Sequence, residues 1–106
     1  YMEPERRRVA HILVENLEDD AAAHAKAEAI LAELQNGADF ATLAQEKSDD
    51  LVSAELGGDL DWIDRDMMEP EFEEAAFALA NVGDFSDVVQ TEFGYHIIKL
   101  TDYEPE

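Results

Sequence analysis

Two segments near opposite ends of the chain constrain the fold most, because each has the length of a strand and is apolar enough to lie in the middle of a sheet. In residues 9–14, one face carries Val9, His11 and Leu13, and the other face carries only Ala, Ile and Val side chains. Residues 95–102 have a similar apolar character. Strands of this kind lie in the middle of a sheet that is covered on both sides. We therefore predict that the first and last strands are central.

The segments between these strands predict three helices and further extended chain. One helix is predicted after the acidic residues 18–20, a second from near Asp39, and a third from Pro70. The first ends at Asn36-Gly37 and the third closes at Asn81-Val82-Gly83. The other predicted segments are a polar loop at 48–58, an extended segment at 59–63, and a hairpin with strands 86–91 and 95–102 that turns at 92–94. The predicted order is β-α-α-(β)-α-β-β, an α+β fold.

The composition excludes several classes of partner. The chain of 106 residues carries 27 Asp or Glu and 7 Lys or Arg, for a formal net charge of −20. Nucleic acids and anionic lipid surfaces both require a basic surface, so we predict that the chain binds neither directly. With 46% hydrophobic residues, the chain still has enough apolar material to bury the core of one domain.

Cysteine is absent, which removes disulfides and thiolate chemistry and leaves the redox compartment open. No apolar run approaches the roughly 20 residues that span a bilayer. The chain begins Tyr1-Met2, which resembles neither an initiator methionine nor a signal peptide. We expect a piece of a longer protein, with residues 1–6 as a linker, 7–102 as the folded domain and 103–106 as a C-terminal flank.

Two of the three histidines fall inside the apolar strands. His11 and His96 each share a strand face with large aliphatic residues, so each imidazole needs a hydrogen-bond partner. If the first and last strands pair, the two imidazoles can bond to each other. The pair then either serves only to satisfy the core or lines a site. His24 lies on the polar side of a helix and is predicted to be a surface residue.

Other chemistries are weakly supported. His11, His96 and Asp50 could form a two-histidine, one-carboxylate metal site, but no local chelate motif fixes the set, and we predict no metal and no cofactor. A serine hydrolase is disfavoured because no G-x-S-x-G elbow is present. Met68 and Phe72 lie four residues apart, on one helical face, where such a pair packs either into a core or around a pocket.

An ordered set of motifs runs from about residue 7 to residue 100. The matching motifs are Ala10-His11-Ile12-Leu13-Val14, Asn36-Gly37-Ala38-Asp39-Phe40, Gly57-Gly58-Asp59-Leu60, Met68-x-Pro70-x-Phe72, Phe77-Ala78-Leu79 and Thr91-x-Phe93-Gly94-Tyr95-His96-Ile97-Ile98-Lys99. The chain with these motifs resembles the parvulin-type peptidyl-prolyl cis/trans isomerases. It is most similar to the parvulin domains of bacterial extracytoplasmic folding factors of the PpiD type, and the SurA and PrsA types are the alternatives.

The resemblance implies an FKBP-like fold, in which a four-stranded, mostly antiparallel sheet is surrounded by three or four helices. It also implies two sets of site residues. The implied catalytic residues are His11, Asp50, Thr91 and His96. The implied substrate-binding residues, which hold the proline ring and form the site wall, are Leu60, Met68, Phe72 and Phe93. Catalysis would be non-covalent, because it requires only that the twisted amide bind better than either planar isomer.

Two departures from the family pattern bear on specificity. Members that select phosphorylated residues before proline carry a basic cluster after the first strand, whereas residues 15–20 here are mostly acidic and would repel a phosphate. Asp61 and Trp62 stand where many members have a small residue and then an aromatic one, which would alter the pocket rim. Residues 48–74 contain eleven acidic side chains and one basic side chain, Arg65, which favours basic clients.

The leading hypothesis is an active isomerase domain for X–Pro bonds of unfolded or partly folded polypeptides, without phospho-specificity, within a larger folding factor. The alternative is a catalytically inactive polypeptide-binding module of a periplasmic chaperone. A scaffold without a client groove would require the resemblance to be fortuitous. The resemblance implies a periplasmic location in an exported protein, extended proline-containing polypeptides as partners, and a monomeric isolated domain.

Overall fold

The computed structural model describes residues 6–15, 19–63, 69–79 and 81–104. These residues form, in order, β1 (Arg6–Glu15), α1 (Asp20–Gln35), α2 (Phe40–Lys47), α3 (Leu51–Ala54), β2 (Asp59–Ile63), α4 (Pro70–Ala78), β3 (Val89–Thr91) and β4 (Gly94–Glu104). The strands form one antiparallel sheet in the order β2-β1-β4-β3. The predicted α+β fold with a four-stranded sheet is confirmed.

The two strands predicted to be central are neighbours in the sheet. β1 and β4 pair from Arg6 opposite Glu104 to Glu15 opposite Gly94, with one irregularity after Arg8. In this register His11 lies opposite Ile98, two residues from His96. Diagonal positions of this kind on one face of an antiparallel pair are roughly 7–8 Å apart, within reach of two aromatic side chains. The register therefore brings the two imidazoles together.

The two faces of the sheet are covered by different helices. One face packs on α1 and α2, and its buried residues include Ala10, Ile12, Val14, Ile97, Ile30, Leu31 and Phe40. The other face packs on α4, and its buried residues are Val9, Ile63, Ile98, Leu100, Phe72 and Ala76. The second face carries His11 and His96, so the imidazoles share a layer with α4.

The starts of α1 and α2 are fixed by aspartates at the N-cap positions. Asp19 accepts a hydrogen bond from the Ala22 amide at 3.1 Å, and Asp39 accepts one from the Thr42 amide at 3.0 Å. A side-chain oxygen at this position satisfies one of the free amides of the first turn and contributes roughly 1 kcal/mol. The predicted starts of the first two helices are thereby confirmed.

Residues 48–58 were predicted to be a polar loop, and the structure corrects this prediction because the segment contains the short helix α3. Its N-cap is Asp50, whose carboxylate accepts bonds from the amide and hydroxyl of Ser53. A four-residue helix has no apolar periodicity to read, so only its cap could have predicted it. The helix that was predicted to start at Pro70 is α4, and it ends at Ala78, before the predicted closing residues 81–83.

The hairpin differs from prediction in its first strand, which begins at Val89 instead of residue 86. At Ser86 the chain leaves the regular ladder, because the side-chain hydroxyl accepts a 3.0 Å bond from the Ile98 amide in place of a backbone carbonyl. The central strands extend beyond the predicted residues 9–14 and 95–102. Polar residues paired in the ladder account for these additions, which hydrophobicity alone does not show.

Arg7 is the most buried Lys or Arg residue among those described, at 9% exposed. Its guanidinium donates to the carbonyls of Ala76 and Leu79 at the end of α4. It also lies over the rings of Phe77 and Tyr103, at 5.4 and 4.9 Å from their centroids. A cation at a helix C-terminus stabilises the free carbonyls there, so Arg7 fixes α4 against the sheet.

Candidate functional site

A cavity of about 390 Å³ opens on the α4 side of the sheet. Its lining residues are His11, Leu13, Asp50, Leu60, Glu69, Phe72, Phe93 and His96. Six of them were predicted as site residues, and the structure brings all six together. Thr91 lies behind this lining and bonds to His96. The remaining predicted residue, Met68, lies outside the described residues.

The polar floor of the cavity is one chain of hydrogen bonds. The Thr91 hydroxyl lies 2.7 Å from His96 Nε2, and His96 Nδ1 lies 3.0 Å from His11 Nδ1. His11 Nε2 lies 2.7 Å from Asp50 Oδ2, which also accepts from the Ser53 hydroxyl at 2.7 Å. The chain crosses the sheet from the β3–β4 turn to the start of α3.

Burial keeps both imidazoles neutral. It lowers the pKa of His11, and the Asp50 carboxylate offsets only part of that effect. Burial, together with the adjacent His11, lowers the pKa of His96 to about 4. For Asp50, burial alone would raise the pKa, but hydrogen bonds from His11 and Ser53 outweigh it and hold the pKa below its usual value. The hydrogen-bonded floor at neutral pH therefore contains one carboxylate, that of Asp50, and two neutral rings.

These charge states determine where each proton lies. An ionised Asp50 only accepts, so His11 carries its proton on Nε2 and accepts at Nδ1. His96 must then donate from Nδ1 and accept at Nε2 from the Thr91 hydroxyl. The Thr91 oxygen in turn accepts from the Phe93 amide at 3.2 Å. Every donor in the chain meets an acceptor, so the floor is fully satisfied.

Phe72 forms the apolar wall next to this floor. The side chain is 1% exposed, and its ring meets His11 and His96 nearly at right angles, with interplanar angles of 73° and 86° and centroid distances of 5.7 and 5.4 Å. Edge-to-face contacts of this kind fix ring orientation. Leu60 on β2 and the half-exposed Phe93 in the β3–β4 turn complete the apolar lining.

Residues 48–50 run beside β1 and hydrogen-bond to its backbone as a neighbouring strand would, and these bonds position Asp50. The Ser48 hydroxyl accepts from the Leu13 amide at 3.1 Å, and the Asp49 amide donates to the Leu13 carbonyl at 2.8 Å. Gly58, with φ +89°, accepts from the His11 amide at 2.9 Å. Sequence reasoning missed these supporting residues and the lining residues Leu13 and Glu69. The Gly57-Gly58 pair was the available signal for a close backbone approach.

Within the described residues, no group of three or more His, Asp or Glu side chains is arranged to hold a metal ion. The trio of His11, His96 and Asp50 is engaged in its own hydrogen bonds. His24 lies at the surface as predicted, 3.2 Å from Glu28. None of the helices in the described part of the chain is both long and apolar enough to span a bilayer.

Comparison with known proteins identifies the class that this fold and site define. The model of the PPIC-type PPIase domain matches residues 2–104. Foldase protein PrsA of Geobacillus kaustophilus is 47% identical over 97 residues, which cover 92% of this chain and 32% of that protein. The chain thus spans about a third of the length of this curated relative.

Solved structures agree. The parvulin domain of PpiD from E. coli superposes with a TM-score of 0.78 at 34% identity, covering 98% of this chain and 93% of that one. A SurA-like chaperone from Campylobacter jejuni, from a study of PEB4 and the periplasmic protein Cj1289, gives 0.83 at 37% identity, covering 97% and 40%.

The chain belongs to the PPIC-type, or parvulin, family of peptidyl-prolyl isomerase domains. The resemblance drawn from the sequence motifs is confirmed. All three types of folding factor that it named, PpiD, SurA and PrsA, occur among the similar proteins.

Proposed function

We propose that this domain catalyses cis/trans isomerisation of X–Pro bonds in unfolded or partly folded polypeptides, as one part of a longer folding factor. The observation that carries the proposal is the junction, in one cavity, of an apolar wall and a neutral imidazole floor. Leu60, Phe72 and Phe93 offer a surface for a proline ring. His11 and His96 lie directly beside it.

The geometry suits a reaction without a covalent step. Amide resonance sets a barrier of about 18–20 kcal/mol, while the two X–Pro isomers differ by only about 0.5–1 kcal/mol. A catalyst therefore needs only to hold the proline ring while the preceding carbonyl turns, and to bind the twisted amide more tightly than either planar form. None of the described residues at the cavity is an activated nucleophile, because both imidazoles and the Thr91 hydroxyl are hydrogen-bonded to one another.

The fixed floor also defines the electrostatics that the twisted amide meets. A twisted amide has less charge separation than a planar one, so a site that excludes water favours it relative to the planar forms. The lining is largely apolar, and its two rings are neutral because burial lowers the pKa of each. Asp50 supplies the one fixed charge of the network, held by His11 and Ser53.

The charge around the cavity argues against phosphorylated substrates. Asp50 and Glu69 line it, and Glu15, Asp19 and Asp20, at and just beyond the end of the first strand, offer a phosphate no basic contact, so a phosphate in the cavity would face negative charge. The same acidity favours clients with Lys or Arg near the X–Pro bond. Nucleic acid and anionic lipid are not among the proposed partners, and we expect the isolated domain to be monomeric.

We further assign residues 7–102 to the isomerase domain, with 1–6 and 103–106 as flanks, and place the parent protein in the periplasm. The location is supported by the Campylobacter study, which describes one of its two SurA-like chaperones as periplasmic. Met68 is retained as a proline-pocket residue on the strength of the family motif. The alternative, a binding module without catalysis, is favoured by the description of those relatives as chaperones.

Exchange NMR on a series of X–Pro tetrapeptides, with and without the domain, distinguishes the two functions. We expect catalysed exchange that falls at least tenfold in Phe93→Ala and in Met68→Ala, because each removes apolar contact with the ring. Val82→Ala changes an exposed apolar residue outside the cavity lining and is the matched control. If the peptide changes the chemical shifts of cavity residues only, and no exchange is catalysed, the result would favour the binding module.

A further inference from the structure

The four helices of the described residues all begin at an acidic N-cap residue, and Glu69 differs from the other three. Asp19, Asp39 and Asp50 each accept a hydrogen bond from an amide in the first turn of their own helix. Glu69, at the start of α4, makes no such bond. Its side chain is partly buried and forms no hydrogen bond or ion pair with the residues that the structure describes. Folding therefore makes no visible use of this carboxylate.

The Glu69 side chain lines the proline cavity next to Phe72. Glu69 is the N-cap and Phe72 the third residue of α4, and side chains at these two positions lie close together at a helix start. Both line the cavity, whereas Glu71, between them in sequence, is exposed and does not. The apolar surface that would face a proline ring thus has a carboxylate at its edge.

The other carboxylate of the cavity is already engaged. Asp50 Oδ2 accepts from His11 Nε2 and from the Ser53 hydroxyl, each at 2.7 Å, and Oδ1 accepts from the Ser53 amide at 3.4 Å. Both of its oxygens are held by the site itself. Among the described residues that line the cavity, Glu69 is therefore the one carboxylate that is free to pair with a ligand.

The chemistry of Glu69 favours a cationic partner on one side of the proline. A carboxylate only accepts hydrogen bonds, and its strongest partners are the ammonium and guanidinium groups of Lys and Arg. A peptide advances about 3.3 Å per residue, so a long basic side chain one or two positions from a proline on Phe72 would reach Glu69. A single carboxylate lies nearer to one end of a bound peptide than to the other. The overall charge of −20, in contrast, would act on both ends.

We propose that Glu69 is a specificity-determining residue that pairs with a Lys or Arg side chain of the client on one side of the X–Pro bond. The proposal rests on the proposed function, because it places the proline of the client against Phe72. It assigns to one residue, and to one side of the bond, a preference that the general acidity of the cavity would spread over both sides.

The test compares peptides that carry either lysine or Nε-acetyl-lysine, which is similar in shape but uncharged, at one of the two positions before or after proline. The wild-type domain should prefer lysine by about fivefold in kcat/KM on one side of the proline only, the effect of a partly exposed ion pair. Glu69→Gln should reduce this ratio to near one. Glu71→Gln removes the same charge from the exposed side of α4 and should leave the ratio unchanged.

Charge reversal gives a second, independent measurement. At the position where lysine is preferred, Glu69→Lys should favour a peptide with glutamate over one with glutamine, whereas the wild-type domain should favour glutamine. A Glu69→Gln protein that isomerises the lysine and acetyl-lysine peptides more slowly by the same factor would show that Glu69 shapes the cavity without selecting a charge, which would overturn the proposal.

The remaining outcomes separate this inference from the proposed function. Catalysis with no lysine preference, with equal preference on both sides of proline, or with a preference that Glu69→Gln and Glu71→Gln reduce equally overturns the role of Glu69 and leaves the isomerase. The opposite result is that no peptide is isomerised, but the lysine peptide binds about fivefold more tightly than its acetylated form in an NMR titration and Glu69→Gln removes this difference. The contact with Glu69 then stands and the enzyme does not.

Discussion

His11 Nδ1 and His96 Nδ1 lie 3.0 Å apart, and in the neutral pair only the second carries a proton. The assignment follows from the ends of the chain, where the Asp50 carboxylate only accepts and the Thr91 hydroxyl meets the remaining nitrogen. The two rings are therefore different tautomers with distinct roles. His11 donates to α3, and His96 accepts from the β3–β4 turn.

The depressed pKa of His96 predicts an acid-sensitive fold. In the unfolded chain this ring protonates near pH 6.5, but in the folded domain only near 4. Protons thus bind the unfolded state first, so stability is lost as pH falls from about 6.5 to 4, by roughly 3 kcal/mol in total. The free energy of unfolding should be measured by urea titration at several pH values in this range, for the wild type and for His96→Gln. The difference between the two proteins cancels the general charge repulsion and should shrink as the pH falls. His24→Gln should show the same pH dependence as the wild type, and a wild-type minus His96→Gln difference that does not change with pH would contradict the prediction.

Thr91→Val should destabilise the domain by about 1–3 kcal/mol, because it leaves His96 Nε2 and the Phe93 amide without their buried partner. Thr91→Ser keeps the hydroxyl and should restore most of this loss. Urea unfolding measures the stability, and nitrogen NMR of the imidazoles reports whether His96 keeps its Nδ1 proton. Equal stability of the Val and Ser variants would show that the hydroxyl is not part of the network.

Asp50→Asn isolates the charge of the carboxylate from its shape. Asparagine caps helices as well as aspartate, so α3 should persist. The charge of Asp50 raises the pKa of both imidazoles, and its loss should lower the pKa of His11 and of His96 further. NMR titration of the rings measures this shift. Asp49→Asn, at an exposed neighbour, is the control, and a rise in either histidine pKa in Asp50→Asn would refute the assignment.

Gly58→Ala should disturb the site through the backbone of β1. The new Cβ would lie 2.5 Å from the His11 carbonyl oxygen, at a φ of +89°. We expect a loss of at least about 2 kcal/mol and shifted His11 resonances. Gly37 has a φ of +98° but nothing within 4 Å of an added Cβ, so Gly37→Ala should cost only about 1–2 kcal/mol. Similar losses in the two variants would mean that the contact with His11 is unimportant.

Peptides with Lys or Arg next to X–Pro should bind more tightly than peptides with Glu there. The reason is the acidic surround of the cavity, which includes Asp50 and Glu69. Binding should be measured at low ionic strength and again at roughly 1 M salt, where the Debye length is only about 3 Å. The preference for basic peptides should be smaller at the higher salt concentration. A preference that is independent of salt would point to a contact other than charge.

The sequence predicted the elements with strong periodicity and the residues that carry chemistry. The apolar strands around His11 and His96 predicted both the sheet centre and the meeting of the two imidazoles. The acidic caps predicted where α1 and α2 begin. These features are local, or follow from one strand pairing.

Other features depend on tertiary contacts that no local pattern encodes. Helix α3 exists because Asp50 caps it while also holding His11. Leu13 and Glu69 line the cavity only because two distant segments approach each other. Arg7 is buried because the end of α4 and the ring of Tyr103 surround its guanidinium, a pair of contacts that the local sequence does not indicate.

The register of β1 and β4 has a mechanical consequence. Arg6 lies directly opposite Glu104, so the chain enters and leaves the sheet side by side, with Cα atoms about 5 Å apart. A longer polypeptide can therefore carry this domain as an insertion whose two points of attachment are only one strand spacing apart. Tension applied through the two attachments would separate β1 from β4 one residue pair at a time, starting at the end farthest from the cavity. The residue pairs next to His11 and His96 would separate late.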